Sequence, residues 1–165
     1  MVMPQSLLFW LPLAAASAHI FEEFAWPGGF AEWYRRYRPE IERSLSPRYL
    51  VIVNAALLFG LFSVGVDRRT VIGPAFLLTM VAILFGNGVF HLFASVRTRT
   101  YSPGAVTGAL FYIPLGVVTF SAILRTHLAS LETAIVAAII GCSYQVLSVA
   151  NHRRRAKVPP RPRRW

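Results

Sequence analysis

Five apolar runs of about 20 residues, separated by short polar loops, leave this chain little architectural choice. A membrane-crossing helix needs about 20 mostly apolar residues. The runs at about 5–26, 49–66, 71–96, 105–124 and 131–150 each supply them. Lipid offers no partner to a free backbone N–H or C=O, so each run must satisfy its own hydrogen bonds as a helix. The chain is 55% apolar over 165 residues, with mean hydropathy +0.51, too apolar for a soluble domain of this size. The expected fold is all-α: a polytopic membrane protein, with five transmembrane helices in one bundle over residues 1–152 and a basic, disordered tail over 153–165.

Charge sets the expected orientation. There are 17 Lys and Arg against 7 Asp and Glu, a net charge of +10. In a soluble chain that excess would suggest nucleic acid. Here the cations sit between apolar runs and in the tail, as a topology signal does, and nothing argues for nucleic-acid binding. The tail, first loop and third loop hold 14 of them, and the opposite side holds Arg68, Arg69 and Arg125. The positive-inside rule therefore places the N-terminus outside and the C-terminus in the cytoplasm, with the chain integral to the plasma (inner) membrane. The Ala-Ser-Ala before His19 looks like a signal-peptidase site, but "MVMPQ" carries no positive charge and cleavage would require exporting the basic tail, so an uncleaved first span is expected. The single cysteine, Cys142, excludes an internal disulfide and reads as a core thiol.

The polar residues inside the spans share one depth. With the N-terminus outside, His19 lies about 12 Å from the cytoplasmic end of its helix, at ~1.5 Å per residue. On the same rise, Asn54 and His91 lie about 9 Å in, Gln145 about 12 Å and Asn87 about 15 Å. Thr107 falls one turn into the fourth span. Polar groups are costly in hydrocarbon and face the bundle interior or a wet cavity. Around the first helix, Glu22 and Glu23 fall roughly 60° and 40° to either side of His19, at ~100° per residue. Gly141, Tyr144, Gln145, Ser148 and His152 make one stripe on the fifth helix.

Two carboxylates and two imidazoles form a common ligand set for zinc, iron or manganese. His19, Glu22, Glu23 and His91 are the candidate ligands, and His152 is a weaker fifth. No Lys or Arg lies inside a span, so one divalent cation, iron or zinc, would balance both glutamates. Asn54, Asn87, Thr107, Tyr144 and Gln145 are expected behind the ligands, where neighbours orient them. Glu22 and Glu23 are equally candidates for catalytic acid or base, their protonation set by burial. The leading expectation is a metal-dependent membrane oxidoreductase or hydrolase acting on a lipophilic or amphiphilic small molecule. The alternatives are a metal-free acid–base (isomerase-type) enzyme, a small proton-coupled transporter, or a structural network that only specifies helix packing. Against a transporter, the outer half of the spans carries no matching polar path. Nothing in the sequence sets the oligomeric state.

The first loop carries Phe30, Trp33, Tyr34, Tyr37 and Ile41 at helical spacing among arginines, so residues 28–42 read as an amphipathic interfacial segment. Trp33, Tyr34 and Tyr37 hang below His19, where they either gate the pocket or anchor the chain as an aromatic belt. In "YSPGAVTG", Ser102 reads as an N-cap with Pro103 at N1, Tyr101 lies within reach of the cluster, and Gly104 and Gly108 form a close-packing pair. His127 reads as a surface loop histidine.

"HIFEE" (19–23), "NGVFH" (87–91) and "YSPGAVT" (101–107), in a short five-span chain, resemble the HXXEE family of bacterial membrane proteins. The likeness runs to about Ala150 and leaves out the basic tail. It implies that His19, Glu22 and Glu23 are the motif residues. It implies no activity, since the family is named for its motif.

Overall fold

A computed structural model describes residues 5–67 and 70–157. The opening residues 1–4, Arg68, Arg69 and the tail from 158 onward, including Arg161, Arg163 and Arg164, lie outside the described residues. The described chain is helical, and five of its helices are long and apolar enough to cross a membrane.

Helix α1 spans Gln5–Phe24 and is halted by "WPGG", where Gly28 and Gly29 turn to φ +72° and +84°. Next come the short helix α2, Phe30–Tyr37, and a 3-10 turn at Pro39–Ser44. Helix α3, Pro47–Val66, starts with Ser46 as N-cap, its hydroxyl accepting from Tyr49 N at 3.3 Å, and Pro47 in the first turn. Helix α4, Gly73–Thr98, ends at Arg99, which turns left-handed at φ 52°. Helix α5, Ala105–Arg125, contains a π turn at Gly108–Tyr112. Helix α6, Leu131–Ala156, is capped by Ser130, whose hydroxyl accepts from Thr133 N at 3.1 Å.

Helix α4 is the axis of the bundle and packs on α1, α3, α5 and α6. Its contact with α6 is close: a Cβ at Gly141 would lie 2.4 Å from that of Ala82, so only glycine permits the approach. Gly108 presses on Gly88 in the same manner, joining α5 to α4. Phe9, Leu61, Val64, Leu77, Leu78 and Ile123 form the apolar core at one end. Phe59, Phe62, Val136, Ile139 and Val146 point outward and exposed, the arrangement expected where lipid is the solvent.

Three expectations change. The last helix runs to Ala156, so Arg153, Arg154 and Arg155 are helical rather than part of a disordered tail. Cys142 is exposed on the surface of α6 and not a core thiol, because the inward stripe of that helix runs through Gly141 and Gln145 beside it. The α5 helix begins at Ala105, after Gly104, so Ser102 is not its cap.

Candidate functional site

His19 and Glu23 are separated by one helical turn, so both project from the same face of α1 toward α4. There they meet His91. The Glu23 Oε1 lies 3.2 Å from His91 Nε2 and 3.6 Å from His19 Nε2. One ligand atom from each of the three residues falls within 4.8 Å of the others. All three side chains are buried, His91 completely.

The imidazoles are held from behind by hydroxyls. His19 Nδ1 is 2.8 Å from Thr107 Oγ1, and His91 Nδ1 is 2.9 Å from Ser102 Oγ. Anchoring both rings at Nδ1 turns both Nε2 atoms toward Glu23. Ser102 lies in the segment that connects α4 to α5 and Thr107 in the first turn of α5, so one short stretch of chain orients both histidines. Gly104, between them, lies on the rings themselves. Its φ of +103° suits only glycine, and a Cβ there would stand 2.7 Å from His19 Cε1 and 2.9 Å from His91 Cε1.

Glu22 serves a different group and is absent from the three-residue cluster. The next residue along a helix is turned by about 100°, so its carboxylate diverges from that of Glu23. Tyr101 OH donates to Glu22 Oε1, as do Gly104 N at 2.9 Å and Val106 N at 3.0 Å. Thr107 N donates to Oε2 at 2.7 Å. A carboxylate at the start of α5 satisfies amides with no partner in the helix and complements its positive end. Burial and the hydrogen bond to Glu22 raise the pKa of the Tyr101 phenol, keeping it a donor. Glu22, expected beside His19 and Glu23 as a ligand, instead anchors the segment that holds the two imidazoles.

Asn54, Asn87, Tyr144 and Gln145, expected behind the ligands, make no hydrogen bond to the imidazoles among the described residues; they line a cavity of about 400 Å³ beside the cluster. His152 lines it too, but its Nδ1 is engaged 2.6 Å from Ser44 Oγ, and it stands outside the cluster. The Ser44 hydroxyl donates its proton to Ile41 O at 2.7 Å, so His152 is the donor in that pair.

No sequence signal marks Tyr112 as part of the site. The π turn of α5 brings its ring onto His19, with centroids 4.4 Å apart at 28°. Its hydroxyl is buried and has no hydrogen-bond partner among the described residues, and the residue is part of the cavity wall. Single π turns recur at functional sites, but an aromatic residue in an apolar run does not announce one. Ser102 was visible in the sequence and given the wrong role.

Helix α2 closes this end. Trp33 and Tyr34 are buried against Phe90 and Ala94, and the Trp33 ring is 6.4 Å from that of His91. Trp33 Nε1 donates to Thr100 Oγ1 at 3.3 Å. Burial pushes the Tyr34 phenol up to about 12. Tyr37 stacks beside Trp33, ring centroids 5.2 Å apart. The aromatic face of residues 28–42 thus packs on the bundle.

Fold and site define a helical membrane protein with a buried His/Glu cluster and an adjoining cavity. A family model described as "Protein of unknown function with HXXEE motif" matches residues 10–119, and the chain belongs to that family. No curated protein and no solved structure matches the chain.

Proposed function

We propose that this HXXEE protein is a metal-dependent membrane enzyme in which His19, Glu23 and His91 hold one divalent cation, iron or zinc, beside the cavity. The observation that carries this reading is the convergence of three buried ligand atoms within 4.8 Å, with both imidazoles fixed from behind at Nδ1. Two histidines and one carboxylate are the donor set of catalytic zinc sites and of non-haem iron sites, and both leave coordination positions open. When bound, the cation supplies Lewis acidity or redox chemistry at those open positions. A buried carboxylate is costly unless paired or bound to a metal, and no Lys or Arg lines this cavity among the described residues.

The chain's own residues divide the remaining work. Ser102 and Thr107 orient the imidazoles, and Glu22 holds the loop that carries them. Tyr112 stacks on the His19 ring and fixes its plane, and Trp33 and Tyr34 shield the cluster from the aqueous side. With the N-terminus outside, as the 14 cations on one side favour, the site lies near the cytoplasmic leaflet of the plasma membrane.

The test is metal content after purification in detergent without chelator. The intact protein is expected to hold about one zinc or iron per chain, and His91→Ala and Glu23→Gln to lose it. A correctly folded protein with no stoichiometric metal overturns the reading. Glu23 would then be an acid–base carboxylate set between the two imidazole Nε2 atoms, a second reading that rests on the 3.2 Å and 3.6 Å separations.

A further inference from the structure

Among the described residues three histidines are buried, and His152 alone of them stands outside the cluster. It lies near the end of α6, next to three arginines, where a solvent-facing side chain would be ordinary. Instead its ring is edge-on to Tyr34 of α2 and to Tyr49 of α3, with centroids 6.2 Å and 5.0 Å away. Its Nδ1–H donates to Ser44 Oγ at 2.6 Å, and the Ser44 hydroxyl donates in turn to Ile41 O at 2.7 Å. A buried imidazole is thus committed to the 3-10 turn.

That turn is the middle of a strap. The chain leaves α1 through Gly28 and Gly29 and re-enters the bundle at Ser46, the cap of α3. Between those points α2 packs on the 3-10 turn and on α1, and the 3-10 turn packs on α6. Arg35 Nη2 donates to Leu45 O at 3.2 Å, which ties α2 to the end of the turn. Trp33, Tyr34, Ile41 and Leu45 form an apolar core with Ala94, separate from the core of the bundle. The strap covers the cluster at His91, whose ring centroid lies 5.6 Å from that of Phe30 and 6.4 Å from that of Trp33.

We propose that His152 is a positioning residue: through Ser44 and Ile41 it buckles the strap of residues 30–46 over His91, and release of that buckle opens the cluster from the aqueous side. His91 is completely buried, so anything that reaches its Nε2 must displace what covers it. The strap can lift without breaking the bundle, because its apolar core is its own. Its other polar tie to α6 is Arg153 to Glu40 at 3.8 Å, an exposed pair that water screens, whereas the His152–Ser44 bond is buried. The inference concerns access to the proposed metal site. It rests on that reading for what passes the strap and not for the strap itself.

The experiment uses the full chain in detergent after chelator treatment, so that no metal shields the cluster. Diethyl pyrocarbonate acylates accessible imidazole nitrogens, and mass spectrometry reads each histidine separately. Exposed His127 is the internal reference, and His91 in the parent is expected to react far more slowly. Loss of one buried hydrogen bond shifts an opening equilibrium roughly tenfold, so Ser44→Ala and His152→Ala should each raise the His91 rate by about that factor with helix content unchanged. His152→Asn, whose amide N–H replaces the Nδ1 donor, should restore most of the protection. Ser44→Ala carries the test should His152→Ala fail to fold. An unprotected His91 in the parent, or an unchanged rate in the alanine variants, overturns the inference. A rise only where helix content is lost overturns it too, since the bundle and not the strap would then have opened. Metal content, measured on preparations without chelator, decides the proposed enzyme separately: a metal-free protein whose His91 rate depends on the buckle keeps the strap and loses the metal chemistry.

Discussion

The carboxylates of Glu22 and Glu23, adjacent in the chain, serve different partners. Glu23 lies between the Nε2 atoms of His19 and His91, while Glu22 collects Tyr101 OH and the amides of Gly104, Val106 and Thr107. The H-x-x-E-E motif therefore contains one site residue pair, His19 and Glu23, and one anchor. The two glutamates should fail differently when changed.

Glu22→Ala leaves three amides and a phenol without their acceptor. Hydrogen bonds to a charged group contribute about 1.5–3 kcal/mol each, so a loss of at least ~2–4 kcal/mol of stability is expected after partial rehydration. Glu23→Ala should cost less, since the contacts to its carboxylate are the two imidazoles at 3.2 Å and 3.6 Å and no backbone amide. Thermal unfolding in detergent compares them. A Glu22→Ala protein as stable as the parent would show that the anchor does not hold the loop.

Ser102→Ala and Thr107→Val each remove the hydroxyl behind one imidazole. Partners behind a ligand typically contribute about 10–100-fold to metal affinity, and each variant should lose that much while keeping its helix content. Competition with a chromogenic chelator reads the affinity. Unchanged affinity in both variants would disconnect the loop from the cluster.

Gly104→Ala places a methyl group where the two imidazole rings lie and asks alanine to adopt φ +103°. Strain of this kind costs about 1–3 kcal/mol, before the rings are displaced. Lower unfolding temperature together with lower metal content is expected. Loss of stability alone, with full metal content, would mean the rings move aside without consequence.

Tyr112→Phe removes a hydroxyl that has no partner among the described residues. An unsatisfied buried group costs about 1–3 kcal/mol, so the variant should be as stable as the parent or more so. Thermal unfolding in detergent checks this, and a clear destabilisation would reveal a structural partner for the hydroxyl.

The sequence carried the bundle because hydrophobicity is read locally: five runs long enough for lipid could form little but five helices. It also carried the site's membership, since polar residues at one depth on separate helices must converge or remain costly. His19, Glu23 and His91 were legible for that reason. Helix ends were less so. The last helix outruns its apolar segment by six residues, Asn151–Ala156, because arginines are good helix formers and the 3-10 turn packs on it.

What the sequence could not assign was direction and pairing. A step of one residue on a helix turns a side chain by about 100°, and only the position of α5 decides that Glu22 faces its N-terminus while Glu23 faces the histidines. The same holds for Ser102, where a hydroxyl suited to a cap is taken by His91, and for Tyr112, which a π turn carries onto His19. By itself the sequence determined five spans and the polar residues set within them. The tertiary structure decided which of those residues meet, because contacts between helices depend on rotation about each axis and on close approach at Gly88, Gly108 and Gly141, quantities fixed by packing among all the helices together.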